Sequence, residues 1–327
     1  MGRVSRLILA CVAVAFAAHA ETAPAGSAWP SRPIRLIVPT GAGTATDIMA
    51  RLVANGIGAG LGQPVVVENM PAASGLLAHQ AAARATSDGY TLLFTATSGM
   101  SVNPISFKTL PYDPARDFVA VAMVCSLGPQ MLSVNAELPV KSVPELFAYA
   151  KANRGKLSIG FDNTAGAAAF AAKLLNRRAD LGLVEVPYRA TAQMTQDAAS
   201  GVVQVLMSSI AAARAMVDAG KLRRLAVTSP ARFPGLPNLP AVSEFAPGVA
   251  VNGWFAVMAP AGTPAAVVAR VNREIGKFLK GPDIQQRLYS FGLATEGAGT
   301  PEGTAAFIRA DQERWRMLAK ELGVQPQ

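Results

Sequence analysis

Three stretches of this 327-residue sequence place glycine, hydroxyl and other small residues where a β-branched run gives way to an amphipathic one. The first is Pro39-Thr40-Gly41-Ala42-Gly43-Thr44-Ala45-Thr46-Asp47, which follows Ile34–Val38 and precedes Ile48, Leu52, Val53 and Ile57. A strand that turns through glycines into a helix leaves backbone N–H groups unpaired at the helix start. The helix dipole adds to them, so such an end holds anions. Thr46 and Asp47 also suit helix capping, and Asp47 reads equally well as a cap and as a ligand contact. Asn69-Met70-Pro71-Ala72-Ala73-Ser74-Gly75 and Ala96-Thr97-Ser98-Gly99-Met100-Ser101 repeat the pattern. In a parallel sheet all three loops emerge at one edge. A matching set comes later in the chain: Asp162-Asn163-Thr164-Ala165-Gly166, then Tyr188-Arg189-Ala190, then Ser208-Ser209. The predicted chemistry is the holding of a small anion by many short hydrogen bonds. Arg189 is either a second partner for that anion or a solvent-facing hinge residue.

Residues for covalent chemistry are scarce. Gly41-Ala42-Gly43 opening a helix, with Glu68 ending the next strand, is half of a dinucleotide fingerprint, but Thr46 stands at the third glycine position. His79 lies in the helical pattern Leu77–Ala83, without a Gly-x-Ser-x-Gly elbow elsewhere, and is expected at the surface or partly packed. Once an N-terminal signal is removed, His79 and Cys125 are the last of their kinds, so neither a metal-ligand spacing nor a disulfide is available. No catalytic residue, metal or cofactor is expected.

The elements that must position these loops alternate. Short β-branched runs are predicted as strands at Ile34–Val38, Val65–Glu68, Tyr90–Thr95, Val119–Cys125, Gln130–Val134, Leu157–Phe161, Leu183–Pro187, Val202–Met207, Leu222–Thr228 and Trp254–Met258. Helices start at Ser142 with Glu145, at Thr263-Pro264, and at Thr300-Pro301, the last stopping at Gly323. Alternation of this kind predicts an α/β fold of mostly parallel sheets flanked by helices. The number of strands favours two lobes: residues 30–125 plus 254–327 as a discontinuous outer lobe, and 126–253 as a middle lobe. A cleft between them is where a small molecule would bind.

Arg3 and Arg6 precede an apolar stretch, Leu7–Ala18, that ends in Ala18-His19-Ala20. This reads as a cleavable signal peptide over residues 1–20, followed by a disordered lead over 21–29, and so places the protein in the periplasm. The alternative, a lipid-modified start at Cys11, would leave only a short apolar run before the cut. The formal charge of +9 falls to +7 without Arg3 and Arg6, and the basic residues are scattered, which argues against nucleic acid and allows a mild attraction for anions.

From Trp29-Pro30-Ser31-Arg32-Pro33-Ile34 to its end, the chain resembles the periplasmic substrate-binding proteins of tripartite tricarboxylate transporters, the Bug family. The resemblance rests on Leu61-Gly62-Gln63-Pro64-Val65-Val66-Val67-Glu68-Asn69, Asp88-Gly89-Tyr90-Thr91-Leu92-Leu93, Leu110-Pro111-Tyr112-Asp113-Pro114, Val186-Pro187-Tyr188-Arg189, Leu225-Ala226-Val227-Thr228-Ser229 and Ala259-Pro260-Ala261-Gly262-Thr263-Pro264, in order. It implies a two-lobed Venus-flytrap fold that captures a small organic carboxylate for a pair of membrane permease subunits, as a monomer. It also implies ligand contacts from Gly41, Ala42, Gly43, Asp47 and Ser98, with Asn163, Thr164 and Tyr188 opposite. Thr40 and Ser208 join these candidates by position. The chain departs from the family where Thr40 replaces a common aromatic, which removes a lid, and where Met207-Ser208-Ser209 replaces an acidic pattern, which removes a partner for a ligand amine. A sensor or adaptor read by a receptor kinase would need the same closure on ligand. An exported enzyme is the remaining alternative.

Overall fold

A computed structural model of the protein describes residues 29–162 and 166–326. The expected signal peptide lies outside the described residues, as do Asn163 and Thr164. In chain order the elements are β1 (Ile34–Val38), α1 (Ala45–Leu61), β2 (Val65–Asn69), α2 (Leu76–Ala83), β3 (Thr91–Ala96), α3 (Asn103–Ser106), β4 (Phe118–Asn135), α4 (Val143–Ala152), β5 (Ser158–Asp162) and α5 (Ala167–Arg178). They continue with β6 (Val184–Tyr188), α6 (Thr191–Ala199), β7 (Val205–Ser209), α7 (Ile210–Asp218), β8 (Leu222–Val227), β9 (Asn252–Pro260), α8 (Ala265–Leu279), α9 (Pro282–Ser290) and α10 (Pro301–Leu322).

The strands are joined in the order β2-β1-β3-β9-β4-β7-β5-β6, with β8 also on β4. β1 runs parallel to β2 and β3, and β5 parallel to β6 and β7, so the loops after each trio leave the sheet at a shared edge. The expected parallel ladders are therefore present, and antiparallel β9 and β4 join them. Where the sequence predicts separate strands at Val119–Cys125 and Gln130–Val134, a single strand β4 runs through. Gly128 and Pro129 do not end it, because β9 pairs across them at Gly253 and Asn252, and register shifts on either side of Cys125 absorb the irregularity. Residues 118–129 of β4 pair with β9 and residues 130–135 with β7 and β8, so this strand passes from one trio's territory to the other's.

Burial follows the strand alternation. Ile34, Leu36 and Val38 pack with Val53 and Ile57 of α1 and Val271 and Ile275 of α8, while Ile37 packs on the opposite face with Leu93, Trp254 and Met258. Val267, Val271, Ile275 and Leu279 of α8 are buried, but Thr263 does not cap the helix: its hydroxyl donates to Pro260 O at 2.8 Å, and Pro264 takes the cap position. Around the middle strands a separate core gathers Leu132, Val134, Leu146, Ile159, Phe161, Phe170 and Leu174. α10 reaches both: Ile308 packs near Trp254, and Trp315, Leu318 and Ala319 are buried among the middle-strand core, with Trp315 edge-on to Phe170 at 4.7 Å.

Candidate functional site

In the first loop the hydroxyl groups face one another. Thr44 is the N-cap of α1: its Oγ1 accepts the Asp47 N–H at 3.3 Å, lies 2.8 Å from Thr40 Oγ1 and donates to Gly41 O at 2.9 Å. Capping thus falls to Thr44 rather than to Thr46 or Asp47. Asp47 is buried beneath the loop, where its carboxylate accepts from Gly43 N at 2.8 Å, Asn69 Nδ2 at 2.8 Å and Arg51 Nε at 3.1 Å. Burial pushes its pKa up, but the bonds from Arg51, Gly43 and Asn69 outweigh this and hold the group below its ordinary value. Asp47 and Gly43 satisfy each other, and Asn69 also donates to Thr40 O at 2.9 Å. Among the described residues, none accepts from the N–H of Gly41 or Ala42.

The third loop is braced from behind. Ser98 is exposed and opens a π-helical turn, Ser98–Val102. Thr97 Oγ1 accepts the Trp254 N–H at 2.8 Å, Tyr112 Oη donates to Gly99 O at 2.6 Å, and Gln312 Nε2 donates to Met100 O at 2.9 Å. His79, expected near the surface, is instead buried under this turn. Its Nδ1 lies 2.7 Å from Gly75 O, its Nε2 lies 2.9 Å from Thr95 Oγ1, and its ring stacks on Tyr112 at 4.8 Å. A Cβ on Gly99 would come within 2.0 Å of His79 Nε2, so only glycine allows the turn to sit this close. Burial drives the His79 pKa down to about 4. With both ring nitrogens engaged and the side chain enclosed, His79 positions a loop.

On the middle strands, Tyr188 donates to Asp197 Oδ2 at 2.9 Å and packs among Met194, Ala198 and Leu206. Burial, reinforced by Asp197, pushes its phenol up to about 12. Arg189 is exposed and makes no ion pair among the described residues. Ser208 is fully buried and donates to Ser209 O at 3.2 Å. The strand is buried at each of Val205, Leu206, Met207 and Ser208, and Ser208 is enclosed with it. The next residue, Ser209, is exposed and caps α7 by accepting the Ala212 N–H at 3.2 Å.

A cavity of about 230 Å³ lies where these elements meet. Three helix starts border it: Ala45 of α1, Gly166 and Ala167 of α5, and Ser209, Ile210 and Ala211 of α7. Thr97 and Ser98 line it from the turn after β3, Pro129 and Gln130 from β4, Trp254 and Phe255 from β9, and Phe291, Gly292 and Leu293 from the segment after α9. None of its lining residues carries a formal charge. Of the residues named as ligand contacts, Ser98 lines it and Thr40, Gly41, Ala42, Gly43, Asp47, Tyr188, Arg189 and Ser208 do not, while Ala45, Ala96, Thr97, Gly166 and Ser209 of the same loops do. Two aromatic residues, Phe255 and Phe291, stand in the lining, and Thr40 does not. Neither the Gly128–Gln130 stretch nor Phe291–Leu293 has a strand-to-helix signal, and only the irregularity at Gly128-Pro129 marked the former.

A larger cavity, about 660 Å³, lies between α10 and residues 248–252, and Trp254 borders it too. Its charges are spent on one another: Arg178 on Glu321 at 2.7 Å and Arg314 on Asp311 at 2.5 Å, with Trp254 Nε1 donating to Asp311 at 2.7 Å. Unpaired donors converge on the smaller cavity, and we take that one as the site. The half fingerprint for a dinucleotide fares poorly, since Arg35 grips Glu68 at 2.5 and 2.9 Å and lowers its pKa. Among the described residues, no cluster of His, Cys, Asp or Glu could hold a metal ion, and no helix is long and apolar enough to cross a membrane.

Residues 49–324 match the model of the tripartite tricarboxylate transporter family receptor. The chain is 36% identical to an uncharacterised-family protein from the tcbD-tcbE intergenic region of Pseudomonas sp. strain P51, over 97% of this chain and 94% of that one. It is 32% identical to protein BugT of Bordetella pertussis over 97% of each chain. Among solved structures, R. palustris Rpa4515 with adipate superposes with a TM-score of 0.81 at 32% identity, covering 92% of this chain and 100% of that one.

Proposed function

The chain belongs to the tripartite tricarboxylate transporter receptor family, and from that premise we propose that it holds a small organic carboxylate in the 230 Å³ cavity for delivery to membrane permease subunits. Family and fold are those of two-lobed periplasmic solute-binding proteins, which bind their ligands without transforming them. The observation that carries the reading is the convergence of three helix N-termini and the Ser98 hydroxyl on a cavity without a charged side chain. Free N–H groups and aligned dipoles attract a carboxylate, and each charge-assisted hydrogen bond contributes about 1.5–3 kcal/mol. Several such bonds support micromolar binding without an arginine. The absence of an acid from the lining leaves a ligand amine unrecognised.

In this reading the lobes comprise residues 30–125 with 254–327, and 126–253, and they close on the ligand. Gly41 and Ala42 approach the carboxylate only in a further closed state, because they stand outside the cavity lining. Asn163 and Thr164 precede Gly166, which does line it. The exported protein starts after Ala20 and acts as a monomer. The test is mass spectrometry of the protein purified from its own periplasm, native and then denatured. Release of an organic acid in about equal amount to protein supports the assignment; release of a nucleotide, sugar or peptide instead contradicts it.

A further inference from the structure

We propose that the cavity selects acids with a single carboxylate and a compact apolar body over dicarboxylates of the same length. The inference rests on carboxylate capture at this site and adds which acid is preferred. The helix starts and Ser98 provide for one carboxylate. Another part of the wall is apolar: Phe255, Phe291 and Leu293 from the outer elements, with Pro129 and Ile210 from β4 and α7. Phe291 and Ile210 are both partly exposed. The segment carrying Phe291 is pressed onto α7. A Cβ on Gly292 would lie 2.7 Å from Ile210 Cβ, and the φ of Gly292 is +74°, so glycine is what lets this segment come so close to Ile210.

Two cations stand four residues from this wall, Arg287 before Phe291 and Arg214 after Ile210, and neither lines the cavity. Arg214 of α7 donates from Nη1 to Ser290 O at 3.0 Å, its Nε stands 3.7 Å from Asp218, and it does not line the cavity. A second carboxylate would therefore leave water without gaining a charged partner, whereas a methyl-terminated chain or a ring gains burial against the same surface.

Calorimetric titration at pH 7.5 with hexanoate and adipate, six-carbon chains that differ in one terminal group, reads the preference directly. Hexanoate is expected to bind about tenfold more tightly or better. Phe291→Ala should weaken hexanoate about tenfold and adipate much less. Ile210→Lys, which places a cation at the apolar wall, should move the ratio toward adipate. Adipate bound as tightly as hexanoate by the unaltered protein would overturn this inference alone, leaving carboxylate capture standing. Binding of neither acid by protein that still melts cooperatively would overturn both.

Discussion

At the scale of single residues, two buried ionisable groups, His79 and Asp47, hold loops beside the cavity. His79 titrates near 6.5 in the unfolded chain and near 4 when folded. Between those values the unfolded chain takes up a proton that the folded state excludes, so stability is full above pH 6.5 and falls as the pH drops toward 4. The slope is about 1.4 kcal/mol per pH unit. Urea unfolding at pH 7.5 and pH 5 should show this loss in the unaltered protein and a smaller one in His79→Gln, after allowance for any change common to both pH values. Asp47 acts in the same indirect manner. Asp47→Ala strands the Gly43 N–H and the Asn69 amide, and is expected to lower stability by about 1–3 kcal/mol and to weaken acid binding through a loosened loop. Thermal melting together with titration checks this; an unchanged melting temperature would remove Asp47 from the account.

Among the elements, α10 ties the two cores together. A helix of 22 residues is about 33 Å long, enough for Ile308 to pack near Trp254 while Trp315 fills the middle-strand core. Trp315→Ala should cost about 3–5 kcal/mol, measured by denaturant unfolding. Trp315→Phe should cost much less, because the indole N–H it removes is buried with no partner among the described residues. The start and stop of α10, with Thr300 before Pro301 and Gly323 at the end, were legible in the sequence. So was β1. Continuity of β4 across Gly128-Pro129 was not, since it depends on β9, a partner more than a hundred residues away. The site divides in the same way. The glycine and hydroxyl loops announced themselves because local chemistry makes a helix start, yet the aromatic wall is assembled from Phe255 and Phe291, whose neighbours in sequence give no hint of a ligand.

For the whole molecule, the cavity is bordered by helix starts from both parallel trios, with β4 and β9 running between them. In the proposed reading two lobes close on the ligand, and small-angle scattering is then expected to show a smaller radius of gyration at saturating acid than without it. The central claim is that a carboxylate is recognised by uncharged donors at the helix starts. Calorimetric titration of one acid against its own amide, hexanoate against hexanamide, tests it most directly, because size and apolar surface are held constant while the charge is removed. Hexanoate should bind with micromolar affinity and hexanamide at least about a hundredfold more weakly; equal affinity for the two would contradict the account.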